Sequence, residues 1–568
     1  MNTIKGAPIS PGIAIGKAHL KKTVSEEISF TKAENIEEEK KRFKDSRDLA
    51  LKQVEEIHKE MVHSKGEQEA SIFLAHIEML KDAEFINGVE SILDESGCSS
   101  EWAVKTVRDN FVEVFEAMDD EYMRERGMDI KDISDRVIRI LKGNENDDSF
   151  KLTEPAIVIS DVLAPSDTAR MKPELVLGII NETGGPTSHV AIIARMLGIP
   201  FIICPQIISL VKKGQLVALD GEEGTIELEV SEKIFQAYSR KQEAFNQRKI
   251  QLEKLKGTKS ITTDGYELLL AGNIGVPEDA DQVLQQDGHS IGLFRTEFIY
   301  MNRNNSPTEE EQFAAYKEVA EKMKGSPVVI RTLDIGGDKE VDYLKIPKEE
   351  NPFLGYRAIR LCLDRIPFWK VQLRSLLRAS IFGDIHIMFP MIVSMEELLQ
   401  AKLILEEVKA ELRSEGTVFN EHVPVGMMME TPAAALMADV FAKEVDFFSI
   451  GTNDLIQYTM AVDRMNGKVA RLYSQYDPAV IRLVKKIADS AHENGIWAGI
   501  CGEAAADKAL LPLWVGMGLD ELSMSPASIL RIRGQIQGLS KVACEELVEK
   551  TLLLKSAKEV EETLKNYK

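Results

Sequence analysis

Beyond Gly257 the chain settles into one repeated unit, an apolar run of strand length followed by a segment of helical periodicity. The runs fall at residues 268–271, 290–294, 327–331, 385–389, 424–428, 446–450, 497–501 and 521–524. Eight strand-then-helix units in roughly 300 residues predict a (β/α)8 barrel. Arg295, Arg331, Glu430, Asn453, Asp454 and Cys501 each end, or closely follow, one of these runs. In such a barrel that position is the C-terminal rim, where active sites are built.

Upstream the texture is different. Residues 4–20 are short apolar pieces broken by Gly6, Pro8, Pro11, Gly12 and Gly16, a strand-and-turn pattern. From about Ser25 to Gly143 glycine and proline become scarce. Stretches such as 37–59 and 102–125 place apolar residues at three- and four-residue intervals, which predicts a bundle of about four helices. Strand-like runs return at 156–160, 175–180, 201–204, 216–219 and 225–229, between short helices and glycine turns. The expected fold is a multidomain α/β chain. An α/β domain is made of residues 1–20 and 145–230, a helical bundle (21–144) is inserted into it, and a linker helix (231–257) leads to the barrel (258–568). Residues 231–256 hold no glycine or proline and are rich in Lys, Glu, Gln and Arg, the composition of a long polar helix between two domains.

Within the α/β domain, Gly184, Gly185 and Pro186 make a tight turn, His189 follows, and Val190, Ile193 and Leu197 recur at helical spacing. His189 is thus expected at or just before a helix N-terminus. Unpaired amide hydrogens and the positive end of the helix dipole there stabilise an anion, such as a phosphoryl group carried on the imidazole. Thr187 and Ser188 add hydroxyls that cap the helix or contact a phosphate. The plainer alternative is an ordinary histidine at a helix start.

On the barrel, Arg295 and Arg331 come from separate strands and are placed to converge on one phosphate, because guanidinium forks match its geometry and stay charged. Arg464 is a candidate third, and Asn453 a candidate to orient the phosphate. Glu430 and Asp454 offer oxygen ligands for Mg²⁺, which takes one or two carboxylates plus substrate oxygens and water. For either carboxylate the alternative is an ion pair with one of the arginines. Cys501, followed by Gly502 and Glu503, is a thiol at a strand end, and a buried cysteine is commonly just a small hydrophobe.

The run Gly184-Gly-Pro-Thr-Ser-His-Val-Ala-Ile-Ile-Ala-Arg195 resembles the phosphohistidine signature of the phosphoenolpyruvate-utilising enzymes. Gly292-Leu-Phe-Arg-Thr-Glu-Phe298, Arg331-Thr-Leu-Asp-Ile-Gly-Gly-Asp-Lys-Glu340, Glu430-Thr-Pro-Ala-Ala434, Gly451-Thr-Asn-Asp-Leu455 and Cys501-Gly-Glu503 narrow the resemblance to the Enzyme I family of the bacterial sugar phosphotransferase system. That resemblance spans nearly the whole chain. It implies a swivelling phosphohistidine domain with an inserted bundle, followed by a TIM-type barrel that binds phosphoenolpyruvate with Mg²⁺. It further implies that Nε2 of His189 is the phosphoryl acceptor, that Thr168 orients the other ring nitrogen, and that Cys501 protonates C3 of the enolate. The onward acceptor would be the histidine-containing carrier HPr, docked on the helical insertion, and the oligomer a homodimer through the barrel.

Two rivals share these motifs. Pyruvate phosphate dikinases and phosphoenolpyruvate synthases carry a large nucleotide-binding domain ahead of the histidine domain. Here only the helical insertion stands there, without a GxxxxGK[ST] loop. A non-enzymatic regulator is disfavoured because every candidate position holds a competent residue. A net charge of −22 argues against nucleic acid or an anionic membrane surface as partner. Five scattered cysteines and no apolar run of membrane-spanning length suit a reducing, cytoplasmic compartment.

Overall fold

A computed structural model describes residues 3–21, 28–65, 67–116, 121–143, 152–163, 167, 171–185, 188–301, 303, 305–337 and 341–567. Its contacts divide the chain into two compact units, Met1–Lys249 and Ile250–Lys568.

The first unit is built on an eight-stranded sheet. Its strands are β1 (Thr3–Lys5), β2 (Ala7–Ser10), β3 (Ile13–Lys21), β4 (Ala156–Ser160), β5 (Val176–Asn181), β6 (Phe201–Ile203), β7 (Leu216–Asp220) and β8 (Thr225–Glu227), in the order β1-β8-β7-β3-β4-β5-β6-β2. Strands β3 to β6 run parallel through the centre, and antiparallel strands complete both edges. Strand β3 pairs directly with β4, Lys17 opposite Ala156, although the chain makes a long excursion between them. That excursion is helical among the described residues: Ile36–Lys65, Glu67–Lys81, Ala83–Ser96, Ser100–Glu116 and Glu121–Leu141. These helices bury a core of their own that includes Phe43, Val54, Leu80, Val89, Leu93, Val104 and Val137. Five segments stand where about four helices are expected from periodicity. One extra break lies at Asp82, whose extended backbone and side chain, accepting from the Glu84 N–H at 2.6 Å, start a new helix without any glycine or proline.

The polar helix Glu232–Glu253 is fastened to this sheet rather than standing clear of it. Tyr238 is buried with its hydroxyl 3.2 Å from that of Thr225, Lys241 pairs with Asp220 at 2.8 Å, and the Gln242 side chain donates to the Ile13 carbonyl at 2.9 Å. The division between the two units falls in its last turns.

The second unit is a closed parallel barrel of β9 (Leu269–Ile274), β10 (Ser290–Arg295), β11 (Val328–Arg331), β12 (Ile385–Phe389), β13 (Val425–Met429), β14 (Phe447–Gly451), β15 (Trp497–Cys501) and β16 (Glu521–Met524). Strand β16 pairs back onto β9, Glu521 opposite Leu269. Each strand is sandwiched between the helical shell and the barrel lumen, so it reads as an unbroken apolar run. Leu293, Val329, Met388, Met428, Phe447 and Cys501 pack inside the barrel, with Trp497 stacked on Phe447 at 4.5 Å between ring centroids. No helix among the described residues is long and apolar enough to cross a membrane.

One polar group in this core carries a consequence for stability. Glu521 is buried, with the Ser290 hydroxyl donating to it at 3.3 Å, and burial pushes its carboxyl up to about 7. Between pH 4.5 and 7 the group holds its proton in the folded barrel and loses it in the unfolded chain. Its contribution is therefore present below that window and lost as the pH rises through it. Glu521→Gln keeps the shape without the ionisable proton. It is expected to change stability little at pH 5 and to raise it by up to about 3 kcal/mol at pH 8. Denaturant unfolding at the two pH values reads this difference, and an equal change at both would assign the effect to packing.

Candidate active site

The helix His189–Leu197 begins where the sequence places it. The Ser188 oxygen accepts from the Ala191 N–H at 3.3 Å while its hydroxyl donates to the Gly185 carbonyl at 2.9 Å, and Gly198 closes the helix in the left-handed region. His189 is thus the first helical residue, at the positive end of the dipole. Its side chain, and residues Thr168, Pro186 and Thr187, lie outside the described residues.

The barrel rim gathers a chain of alternating charges. Arg331 ends β11 in register with Arg295, which ends β10. Arg331 is buried, and its guanidinium donates to Glu297 at 2.8 Å and pairs with Asp334 at 2.9 Å, with Met428 Sδ at 3.6 Å. Asp334 in turn holds Arg357 at 2.8 Å, and Arg357 lies 3.8 Å from Asp454, which Arg464 approaches at 3.3 Å. Glu297, Arg331, Asp334, Arg357, Asp454 and Arg464 therefore form one connected network. A buried arginine is tolerable only with such partners, and here Asp334 and Glu297 keep the Arg331 guanidinium charged well beyond its usual range. The Nε of Arg331 is buried without a partner, and among the described residues Arg295 makes no ion pair.

Glu430 and Asp454 differ in kind. Asp454 has arginine partners, so the ion-pair alternative describes part of what it does. Among the described residues Glu430 has no arginine within salt-bridge distance; it accepts from the Met391 N–H at 2.7 Å. Burial, then the neighbouring Asp454 and Asp334, raise its carboxyl well above the usual range, and Arg331 and Arg357 offset this only in part. A buried carboxylate that pairs with no arginine among the described residues, and that feels a second carboxylate nearby, fits a divalent cation. No group of three or more His, Cys, Asp or Glu side chains suited to a metal occurs among the described residues. A cation held by Glu430 and Asp454 would draw the rest of its shell from substrate and water, as Mg²⁺ does.

Cys501 ends β15 with its sulfur 3.5 Å from the Ile450 carbonyl, and burial pushes the thiol up to about 11. The turn after it is tight: a Cβ on Gly502 (φ +98°) would lie 2.5 Å from Thr452 Oγ1, so only glycine leaves Thr452 free to donate to the Cys501 carbonyl at 2.8 Å. Asn453 is the second residue of the helix Thr452–Met460, and its carbonyl accepts from the Tyr473 hydroxyl at 3.2 Å. The barrel thus brings Arg295, Arg331, Glu430, Asn453, Asp454, Arg464 and Cys501 to one rim.

Glu297, Asp334, Arg357 and Tyr458 were not singled out from sequence, yet they are the framework of the site. Glu297 and Asp334 stand in the segments 292–298 and 331–340, two and three residues after Arg295 and Arg331. Arg357 follows no strand. Its one sequence signal is the pair Gly336-Gly337, since a Cβ on Gly336 (φ +107°) would lie 2.5 Å from that of Arg357.

An arginine-rich barrel rim and a histidine at a helix start on a separate α/β unit are matched along the chain by family models of the phosphoenolpyruvate-utilising enzymes. The N-terminal model matches residues 5–126, the mobile domain 152–224 and the PEP-binding domain 249–541. The chain is 44% identical to a phosphoenolpyruvate-protein phosphotransferase of Priestia megaterium over 564 residues, 99% of this chain and 98% of that one. It is likewise 44% identical to a protein of that name from Listeria innocua over 567 residues, 99% of each. An NMR solution structure of Enzyme I (nEIt) is 38% identical and covers 43% of this chain and 99% of its own, with a TM-score of 0.36. This chain belongs to the phosphoenolpyruvate-protein phosphotransferase family.

Proposed function

We propose that this chain moves the phosphoryl group of phosphoenolpyruvate onto its own His189, releases pyruvate, and passes the group on to a histidine of the carrier protein HPr. The observation that carries this reading is the rim network. Its arginines are held charged by their own carboxylates, while Arg295, which makes no ion pair among the described residues, is left for a phosphate. Arg295 and Arg331 bind the transferring phosphoryl, and Arg464 and Asn453 fix the rest of the substrate. Nε2 of His189 attacks phosphorus in line, with Thr168 orienting the other ring nitrogen. The P–O bond breaks as the P–N bond forms, and the enolate takes a proton at C3 from the thiol of Cys501. Glu430 and Asp454 would hold Mg²⁺, which when bound neutralises charge on the phosphate and enolate oxygens.

Because His189 and the rim belong to different units, the histidine must visit the barrel and the carrier in turn, and the helix Glu232–Glu253 is the candidate pivot. The helical insertion is the candidate carrier-docking surface and the barrel the candidate dimer contact. The reaction is assigned to the cytoplasm. Incubation with labelled phosphoenolpyruvate and Mg²⁺, without and with ATP, tests the reading: labelling without ATP is expected, and a requirement for ATP would point to the dikinase chemistry instead. In the same assay Glu430→Gln is expected to raise the half-saturating Mg²⁺ concentration at least tenfold. A magnesium titration that superimposes on the wild type would remove Glu430 from the metal.

A further inference from the structure

The loop between β11 and the helix Ile359–Asp364 lays an aromatic ring against the two arginines that share Asp454. The ring of Phe353 has the Arg357 guanidinium carbon 5.8 Å from its centroid and that of Arg464 5.6 Å away. One ring thus serves two cations from different parts of the chain, Arg357 in the loop after β11 and Arg464 beyond the helix that follows β14. An aromatic face attracts a guanidinium held near it. Two like charges brought to one carboxylate repel each other, and a flat apolar wall beside both limits the positions in which they can coexist.

The ring is itself fixed. The Tyr458 hydroxyl donates to the Phe353 carbonyl, and the same hydroxyl accepts from Arg357 Nη1 at 3.2 Å, so ring and guanidinium share one clamp from the helix Thr452–Met460. Beneath it, a Cβ on Gly337 (φ +75°) would meet ring atoms at 3.2 and 3.3 Å, which leaves a glycine as the floor of the ring's seat. Arg360 donates to the carbonyls of Leu354 and Gly355, both at 2.9 Å, and Glu349 accepts the Tyr356 N–H at 2.9 Å, so the loop is pinned on either side of the ring. The ring is only partly buried and lies outside the hydrophobic core. A core-filling role therefore does not explain so many restraints on one half-buried aromatic residue.

We propose that Phe353 is a positioning residue: its ring holds the guanidinium groups of Arg357 and Arg464 apart and aimed, so that Arg464 meets phosphoenolpyruvate, and Arg357 keeps its place beside Asp454, without rearrangement. The role rests on the functional reading above and deepens it, because Phe353 acts through the arginines and touches no reacting atom. Its signature is chemical: the aromatic face matters, and bulk alone does not replace it.

Calorimetric binding of phosphoenolpyruvate with Mg²⁺ to the full-length protein tests this, alongside thermal melting. Phe353→Leu keeps much of the volume and loses the face. It is expected to weaken binding about tenfold with an unchanged melting midpoint, and Phe353→Tyr, which restores the face, to bind within about twofold of wild type. Wild-type affinity in Phe353→Leu would overturn the role of the ring while leaving the functional reading intact. Equal weakening in Phe353→Tyr and Phe353→Leu would also overturn it, since packing in general and not the aromatic face would then be responsible. A wild-type protein that does not bind phosphoenolpyruvate would instead overturn the functional reading, and this role with it.

Discussion

His189→Ala is expected to abolish labelling from phosphoenolpyruvate outright while leaving phosphoenolpyruvate binding close to wild type. The groups proposed to bind the substrate all lie on the barrel, Arg295, Arg331, Glu430, Asn453, Asp454 and Arg464, whereas His189 opens a helix of the other unit. Removing the nucleophile thus deletes the acceptor without touching the binding groups, and a covalent intermediate cannot form without its nucleophile. In the wild type the label should have the stability of a phosphoramidate, lost in acid and kept in alkali. Label that persists in the alanine variant, at any level above the blank, would place the acceptor elsewhere. Loss of phosphoenolpyruvate binding in the same variant would mean that the two units are not independent.

Much of this arrangement was legible because its signals are local. Strands buried on both faces give continuous apolar runs, so seven of the eight barrel strands fall within a residue of where the runs stand, the first extends three residues past its run to Ile274, and the residues that follow the strands reach the rim. Ser188 and Gly198 mark the two ends of the His189 helix by their own chemistry. What the residues alone could not supply is pairing. Nothing in the sequence shows which carboxylate pairs with arginine, yet among the described residues Asp454 lies within salt-bridge distance of two arginines and Glu430 of none. Arg357 follows no strand, and its place depends on the missing Cβ of Gly336 and on Ala358 at φ +52°, both of which are set by the folded loop. The helix break at Asp82 escaped because a single cap residue interrupts a helix without disturbing its apolar period. The chemical role of His189 rested on family resemblance, since a helix-start histidine by itself would support several readings.

Cys501→Ala is expected to separate the two halves of the reaction. Pyruvate formation requires a proton on carbon, and the thiol at the end of β15 is the group assigned to deliver it; passage of the phosphoryl group from phosphorylated His189 to the carrier involves no carbon chemistry. The loss of a positioned general acid commonly costs 10²–10⁴-fold, so a fall of at least about 100-fold is expected in pyruvate formation, with carrier exchange within about twofold of wild type. The environment of the thiol adds a second expectation. Burial raises its pKa from 9.0 to about 11, while Arg331 and Arg295 act in the opposite direction and favour the thiolate left after the proton has gone. The donor form therefore persists below about pH 11, and raising the pH from 7 to 10 should not deprive the reaction of this proton, although an exposed thiol would largely have lost its own by then. The same burial should make Cys501 slow to alkylate across that range, because the thiolate is the reactive form. Pyruvate release by coupled assay and phosphoryl exchange with the carrier, each measured for wild type and Cys501→Ala between pH 7 and 10, give both readings. Equal loss in the two half-reactions would make Cys501 a packing residue of the barrel lumen, beside Met428 and Phe447, and the proton would have to come from another group.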